Sequence, residues 1–531
     1  MYYHHSMLLF SKIVLELSLT RNWTKYSPTR RCYDQLKRTR SVELDIEVKN
    51  ILLITTDQQR KDSLPCYGLS FLKTPVLDAL AHNGIVFDNA ISVAPQCQPC
   101  RASFISGQYP SSTGVPANFN WISEQTPSIA EAFNSAGWHT AAIGKMHFDP
   151  WDSTEGFSHR IIAEDKRHFF RPDHHAQFLG RKGLERRHPA YEKGYNAFLG
   201  AIESPLPKEF HVDAFIADSA VEYLETAPNE HVFCWVSFNS PHDPYDPPNE
   251  FVDLYLDAPI PEPVGSLEEL DAKPKYQKAI LEFFKKNVLY LHDYSKATKH
   301  TWEKIRQHYY ASISFIDEQI GKILAVLEKR NLLDSTLIVF SSDHGDHLGD
   351  HGLPYKGTFY EGSMNVPLII AGPTVTPNTR CTAFADWVDL HRTFLSIAGI
   401  DIPPHVQGED LCKYLKDPTQ PGRPVAFSEL DGRILAYDGR YKLVICDNGE
   451  GELYDMEDTP TEVTNHFNEE RYKDVQYRLT GEIARHLVSC NKVRHFGGGP
   501  CESDAGRNKA FEEIREKLSA GTFTSLNEHI I

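Results

Sequence analysis

Nowhere among the 531 residues is there an apolar run long enough to cross a membrane. The stretch from Met7 to Leu19 comes nearest, but Lys12 and Glu16 interrupt it and no small-residue cleavage site follows, so it reads as a poor secretory signal. That favours the cytoplasm, with the periplasm or export left open. Basic charge is in short supply: 55 Lys and Arg stand against 72 Asp and Glu, a net charge of −17. A nucleic-acid partner needs a basic footprint for the phosphate backbone, and this balance argues against one. It does not argue against a small anionic substrate, because a site built from a metal, lysines and an arginine is locally positive on an acidic protein. Cysteine is thin as well. Ten are spread from Cys32 to Cys501, far below the density of a disulfide scaffold, and most read as buried thiols. There is no internal repeat.

What is present describes a soluble globular chain with ample core: 41% hydrophobic and 24% charged residues. Strand and helix patterns alternate, which predicts a mostly parallel sheet covered by helices. Apolar runs at residues 51–56, 140–143, 232–238, 336–340 and 366–370 read as strands. Helices are expected over 128–136, 212–226, 302–330 and 386–398. Four of these strands end on polar clusters: Asp57-Gln58, Lys145 and His147, His242, and Asp343-His344. In α/β proteins ligands gather at the carboxyl ends of parallel strands. From about Pro424 short strands alternate with turns and a helix follows, which predicts a small antiparallel sheet with a packing helix. The expected organisation is an extension at 1–47, a catalytic domain at 48–423, a smaller α+β subdomain at 424–490 and a tail at 491–531.

One string carries the most chemistry: Cys97-Gln98-Pro99-Cys100-Arg101-Ala102-Ser103-Phe104-Ile105-Ser106-Gly107. Taken alone, its Cys-x-x-Cys spacing also fits a redox pair, Cys97 with Cys100. Asp57 with Gln58, and Asp343 with His344, offer hard oxygen and imidazole donors suited to a divalent cation; capping and loop roles are their plainer alternatives. Lys145 and His147 lie two residues apart, so in an extended segment both face one side. On spacing alone His242 is a loop histidine and Lys356 a surface lysine. His347 and His351 are as readily solvated as part of a pocket, and so are His168, His174 and His175.

Taken together, these elements resemble the sulfatase family, in motif order, from about Asn50 to Val488. The resemblance rests on Cys-x-Pro-x-Arg at Cys97, the strand-end pairs at Asp57 and Asp343, Gly-Lys-x-His at Gly144, Pro-His at Pro241, and Lys356. Cys100 departs mildly from it, taking a position where many members carry serine.

The resemblance implies an alkaline-phosphatase-like α/β fold with a smaller C-terminal α+β subdomain. It also implies hydrolysis of a sulfate ester of a carbohydrate or of an aryl or alkyl alcohol. Cys97 would be oxidised to formylglycine by a formylglycine-generating enzyme, the maturation partner. The metal set would be Asp57, Gln58, residue 97, Asp343 and His344. Calcium is the implied ion, and manganese or magnesium suits the same donors. Arg101 and Lys145 would stabilise the reactive hydroxyl, whose proton Asp343 accepts. Lys145, His242 and Lys356 would contact the substrate. His242 would act as general acid and His147 as the base that releases sulfate. Two rival readings stand beside this: a phosphonate monoester or phosphodiester hydrolase of the same superfamily, and a binder of sulfated ligands without turnover. Specificity is expected in the segments 151–189 and 244–301, which carry Trp151, Phe169, Phe170, His174 and Tyr245.

Overall fold

In the computed structural model, which describes residues 47–286 and 292–491, an eight-stranded sheet carries the larger part of the chain. Its strands are β1 (Asn50–Asp57), β2 (Gly84–Ala90), β3 (His139–Gly144), β4 (His159–Ile162), β5 (Val232–Pro241), β6 (Thr336–Ser342), β7 (Leu368–Ala371) and β8 (Thr379–Ala385), in the order β4-β3-β5-β1-β6-β7-β2-β8. All neighbouring pairs are parallel except those made by β7, which runs antiparallel to both β6 and β2. Among the described residues the α-helices of more than five residues are α1 (Pro75–His82), α2 (Cys97–Ser106), α3 (Ile129–Ser135), α4 (His174–Arg181), α5 (Val212–Thr226), α6 (Lys275–Lys286), α7 (Lys299–Lys329), α8 (Trp387–Ile397) and α9 (Lys473–Asn491).

The central strands β1, β5 and β6 are buried on both faces, and the period of two along each strand divides the core into two layers. Leu52 and Ile54 of β1 face one layer, with Val236, Phe340 and the apolar sides of α1, α5 and α7. Ile51 and Leu53 face the other, where Trp235 and Val339 meet Phe104 of α2, Phe133 of α3 and Trp387 of α8. The sheet is therefore sandwiched by helices, the expected α/β fold. Among the described residues no helix is long and apolar enough to cross a membrane.

Boundaries follow local chemistry. Ser128 caps α3 and its hydrogen bonds with Glu131 complete a capping box. α7 begins at Lys299, three residues before the expected Trp302, because Thr298 caps it reciprocally with Thr301. The expected strand at 366–370 starts only at Leu368. The segment 151–189 is not plain loop, since it contains β4 and α4; α6 lies within 244–301.

The second sheet is antiparallel: β9 (Ala426–Leu430), β10 (Arg433–Tyr437), β11 (Tyr441–Cys446) and β12 (Gly451–Asp455), ordered β12-β11-β10-β9, with α9 packed on it. Asp431 and Gly432 connect β9 to β10 with positive φ of 48° and 73°, the geometry a two-residue hairpin needs. The expected extension and tail lie outside the described residues, apart from Glu47 and Asn491.

Candidate active site

The four polar strand ends come together because β3, β5, β1 and β6 are consecutive in the sheet. Their carboxyl ends form one edge, from Lys145 after β3, through His242 and Asp57, to Asp343 after β6. The approach is close. At Gly144 (φ 101°) a Cβ atom would sit 2.1 Å from the Ser237 carbonyl oxygen of β5, so only glycine fits.

Helix α2 delivers Cys97 to this edge. Gln96 precedes it in extended conformation, Pro99 is tolerated in the first turn, and Gly107 ends the helix at φ 68°. All ten residues of α2 are buried. Cys97 stands at the helix N-terminus, where the partial positive charge of the backbone favours an anion. Its Sγ lies 3.1 Å from His344 Nε2 and 3.8 Å from Asp57 Oδ1. As a thiol it is a poor nucleophile, since burial and then Asp57 push its pKa up to about 12. Cys100 instead packs in the apolar core beside Phe104, and both cysteines are free.

Arg101 is wholly buried and binds both carboxylates, donating from Nε to Asp343 Oδ2 (2.9 Å) and from an Nη to Asp57 Oδ2 (3.3 Å). Its remaining donors go to the Lys145 carbonyl oxygen (2.5 Å) and Ser237 Oγ (3.1 Å). Lys145 Nζ pairs with Asp57 Oδ2 at 2.9 Å and approaches Asp165 Oδ2 at 3.6 Å. Burial works against charge on Lys145, but Asp57 and Asp165 outweigh it and raise its pKa. Burial would likewise raise Asp57; Lys145, His242, Arg101 and His344 together hold it well below the usual carboxylate range.

His344 shares Nδ1 with the Gly345 carbonyl oxygen (2.9 Å), which leaves the Nε2 lone pair facing Cys97. One donor atom each from Asp57, Cys97, Asp343 and His344 lie within 4.8 Å of one another. Two carboxylates and a neutral imidazole, all buried, fit a hard to borderline divalent cation. Gln58 sits beside them, its backbone N–H donating to Asp343 Oδ1.

On the substrate side, Lys356 Nζ lies 2.7 Å from His242 Nε2 and donates to Gln58 Oε1. His242 contacts the Asp243 carbonyl oxygen through Nδ1 (2.8 Å); burial and then Lys145 and Lys356 keep its pKa well below the usual range. Since a carbonyl oxygen only accepts, Nδ1 carries the hydrogen there and Nε2 accepts from Lys356. His147 departs from the extended geometry expected of it. Its φ is 59°, Glu164 holds its backbone N–H, and Nδ1 is buried without a hydrogen bond. Burial, followed by Lys145, lowers its pKa well below the usual histidine range.

The structure sorts the remaining histidines. His347 is tied to the Pro354 carbonyl oxygen and Thr358 within its own loop. His351 pairs with Glu269 and stacks on Tyr360 at 3.7 Å. His174 accepts the Ile162 N–H and His175 meets the Phe210 carbonyl oxygen, so both serve the packing of α4. Phe169 and Phe170 are exposed, whereas Tyr245 is buried against Asp346. Sequence reasoning passed over Glu164, Asp165, Arg167 and Asp346. Glu164 and Asp165 follow β4, one more strand end bearing carboxylates, and that was the available signal.

The family model described as Sulfatase matches residues 49–400. The chain is 33% identical to the choline-sulfatase of Rhizobium meliloti over 486 residues, covering 88% of this chain and 91% of that protein. It is 30% identical to the arylsulfatase of Clostridium perfringens over 464 residues, covering 80% and 91%. The crystal structure of the phosphonate monoester hydrolase of Agrobacterium radiobacter superposes with a TM-score of 0.73 at 25% identity, covering 84% of this chain and 96% of that one.

Proposed function

The chain belongs to the sulfatase family and is a sulfuric ester hydrolase, and from that premise we propose that it cleaves a small sulfate monoester using formylglycine at Cys97 and a divalent cation. One observation carries the proposal: Cys97, at the N-terminus of a buried helix, shares a 4.8 Å cluster with Asp57, Asp343 and His344. Asp57, Gln58, Asp343, His344 and residue 97 would hold the cation, for which calcium is the proposed identity. Converted Cys97 supplies a hydrated aldehyde in place of a sluggish thiol, and the cation supplies Lewis acidity beside it.

The chain's own groups supply the rest. Arg101 locks the two carboxylates in place. Lys145, kept charged by Asp57 and Asp165, offsets negative charge that grows on the sulfate oxygens. Lys356 and His242 share one hydrogen-bonded proton and act together as the acid for the departing alkoxide. His147, whose Nδ1 makes no hydrogen bond, is the proposed base.

Cys97, Lys145 and His242 are all almost wholly enclosed, which favours a compact leaving group over a polymer. Similarity to a choline-sulfatase and an arylsulfatase points the same way. The likeness to a phosphonate monoester hydrolase keeps that reaction as the second reading. Lys145 and His147, which match the Gly-Lys-x-His element of the sulfatase resemblance, weigh against it. Turnover of an aryl sulfate and an aryl phosphonate by protein matured with a formylglycine-generating enzyme decides between them. The sulfate is expected to be the better substrate, and preference for the phosphonate would reverse the assignment.

A further inference from the structure

Gln58 is held on every side. It has a left-handed backbone (φ 73°), and its carbonyl oxygen accepts the Tyr309 hydroxyl proton at 2.7 Å. The Tyr309 oxygen in turn accepts the Arg60 N–H at 2.8 Å. At the side chain, Nε2 donates to Asp346 Oδ2 (2.6 Å) and Oε1 accepts from Lys356. An ammonium group only donates and a carboxylate only accepts, so these two neighbours decide which end of the carboxamide is which. Asp346 is itself fixed. Its Oδ1 accepts the Leu348 N–H (2.8 Å), and its Oδ2 also accepts the Tyr245 hydroxyl proton (2.8 Å). It is completely buried and lies outside the cluster of four donors.

We infer that Asp346 is a positioning residue: it turns the Gln58 carboxamide so that oxygen, not nitrogen, faces Lys356 and is the atom Gln58 would offer to the proposed cation. The inference rests on the divalent-cation reading above. It yields a sign for each substitution. In Asp346→Asn the new amide keeps its oxygen for the Leu348 N–H, which turns its NH2 toward Gln58 Nε2. Two donors then face each other, Gln58 flips, and its NH2 points at the ammonium and the cation. Gln58→Glu instead sets a second carboxylate against Asp346. In the double variant one oxygen of the new carboxylate at position 58 accepts from the new amide at position 346, and the other faces Lys356 and the cation. Each single change impairs binding, and the pair repairs it.

The test titrates calcium chloride calorimetrically into metal-stripped wild type, Asp346→Asn, Gln58→Glu and the double variant, with metal-free melting curves as the check on folding. Supporting groups of this kind are worth about 10–100-fold in metal affinity, so each single variant is expected to lose that much while the double variant recovers most of it. Additive losses, or wild-type affinity in Asp346→Asn, would overturn the inference while leaving the cation reading intact. A wild-type protein that binds no calcium would overturn both. Should Asp346→Asn fail to fold, Tyr245→Phe removes one anchor of Asp346 more gently. Calcium affinity is then expected to fall a few-fold, and an unchanged value would count against the inference.

Discussion

Lys356 and His242 meet over 2.7 Å, and their roles as acid are inseparable in consequence. Lys356 Nζ donates, and His242 Nε2 accepts because Nδ1 is committed to the Asp243 carbonyl oxygen; burial and then Lys145 and Lys356 hold the pKa of this imidazole low. Removing either group leaves the other without its partner. His242→Ala and Lys356→Ala are each expected to lower kcat by about 10²–10³-fold, within the usual range for losing general-acid catalysis. The double variant is expected to lose little more than the worse single one, as groups acting as a unit do. Multiplying losses in steady-state kinetics on an aryl sulfate would show two independent roles. At this scale the sequence was readable where a motif names the atom: Cys97, Asp343 and His344 could be singled out. It was silent on Asp165 and Asp346, which act through neighbours 20 residues away or on another element, as in the contacts of Asp165 with Lys145 and Asp346 with Gln58.

At the scale of elements, the site exists because four parallel strand ends are neighbours, and Gly144 sets the spacing of two of them. With a Cβ 2.1 Å from the Ser237 carbonyl oxygen, Gly144→Ala must push β3 away from β5 and shift Lys145 with it. The expected cost is on the order of 2–4 kcal/mol in urea unfolding, the range of strain in a packed core. Unchanged stability would show that the strand pair tolerates more slack than this contact allows. β1, β5 and β6 were legible as strands because they are buried on both faces and read as continuous apolar runs. β4 was not, since only Ile162 of its four residues is buried and it carries His159 and Arg160. The antiparallel direction of β7 was equally hidden, because it follows from the path of the chain and not from the residues of the strand.

Across the whole molecule, the small sheet and α9 meet in a buried cluster of Glu429, His486 and Cys490, and Ser111 ties that cluster to the rest. His486 Nε2 lies 2.6 Å from Glu429 Oε1, and Ser111 binds the other carboxylate oxygen. Burial alone would lower the pKa of His486, but hydrogen bonds with Cys490 and Glu429 outweigh it and raise the value to about 9. A pKa raised on folding stabilises fully below the unfolded value of about 6.5, and that stabilisation fades as pH climbs toward the folded value. Wild-type melting temperature is therefore expected to fall between about pH 6.5 and 9, and His486→Gln to flatten the decline. Equal slopes for the two proteins would remove His486 from the account. The character of the C-terminal sheet was legible from its turns, Asp447-Asn448-Gly449 among them. Its docking was not, because Ser111 and Glu429 are 318 residues apart and only the fold joins them.

The central claim is that residue 97 works as formylglycine and not as cysteine. The most direct measurement is the mass and fragmentation of the tryptic peptide from Thr74 to Arg101, taken from protein produced with a formylglycine-generating enzyme; it contains Cys97 and Cys100 and no internal Lys or Arg. The account predicts a peptide lighter by the exchange of one sulfur and two hydrogens for an oxygen, with fragments placing the change at residue 97. Two intact thiols, or a disulfide between them, would contradict it.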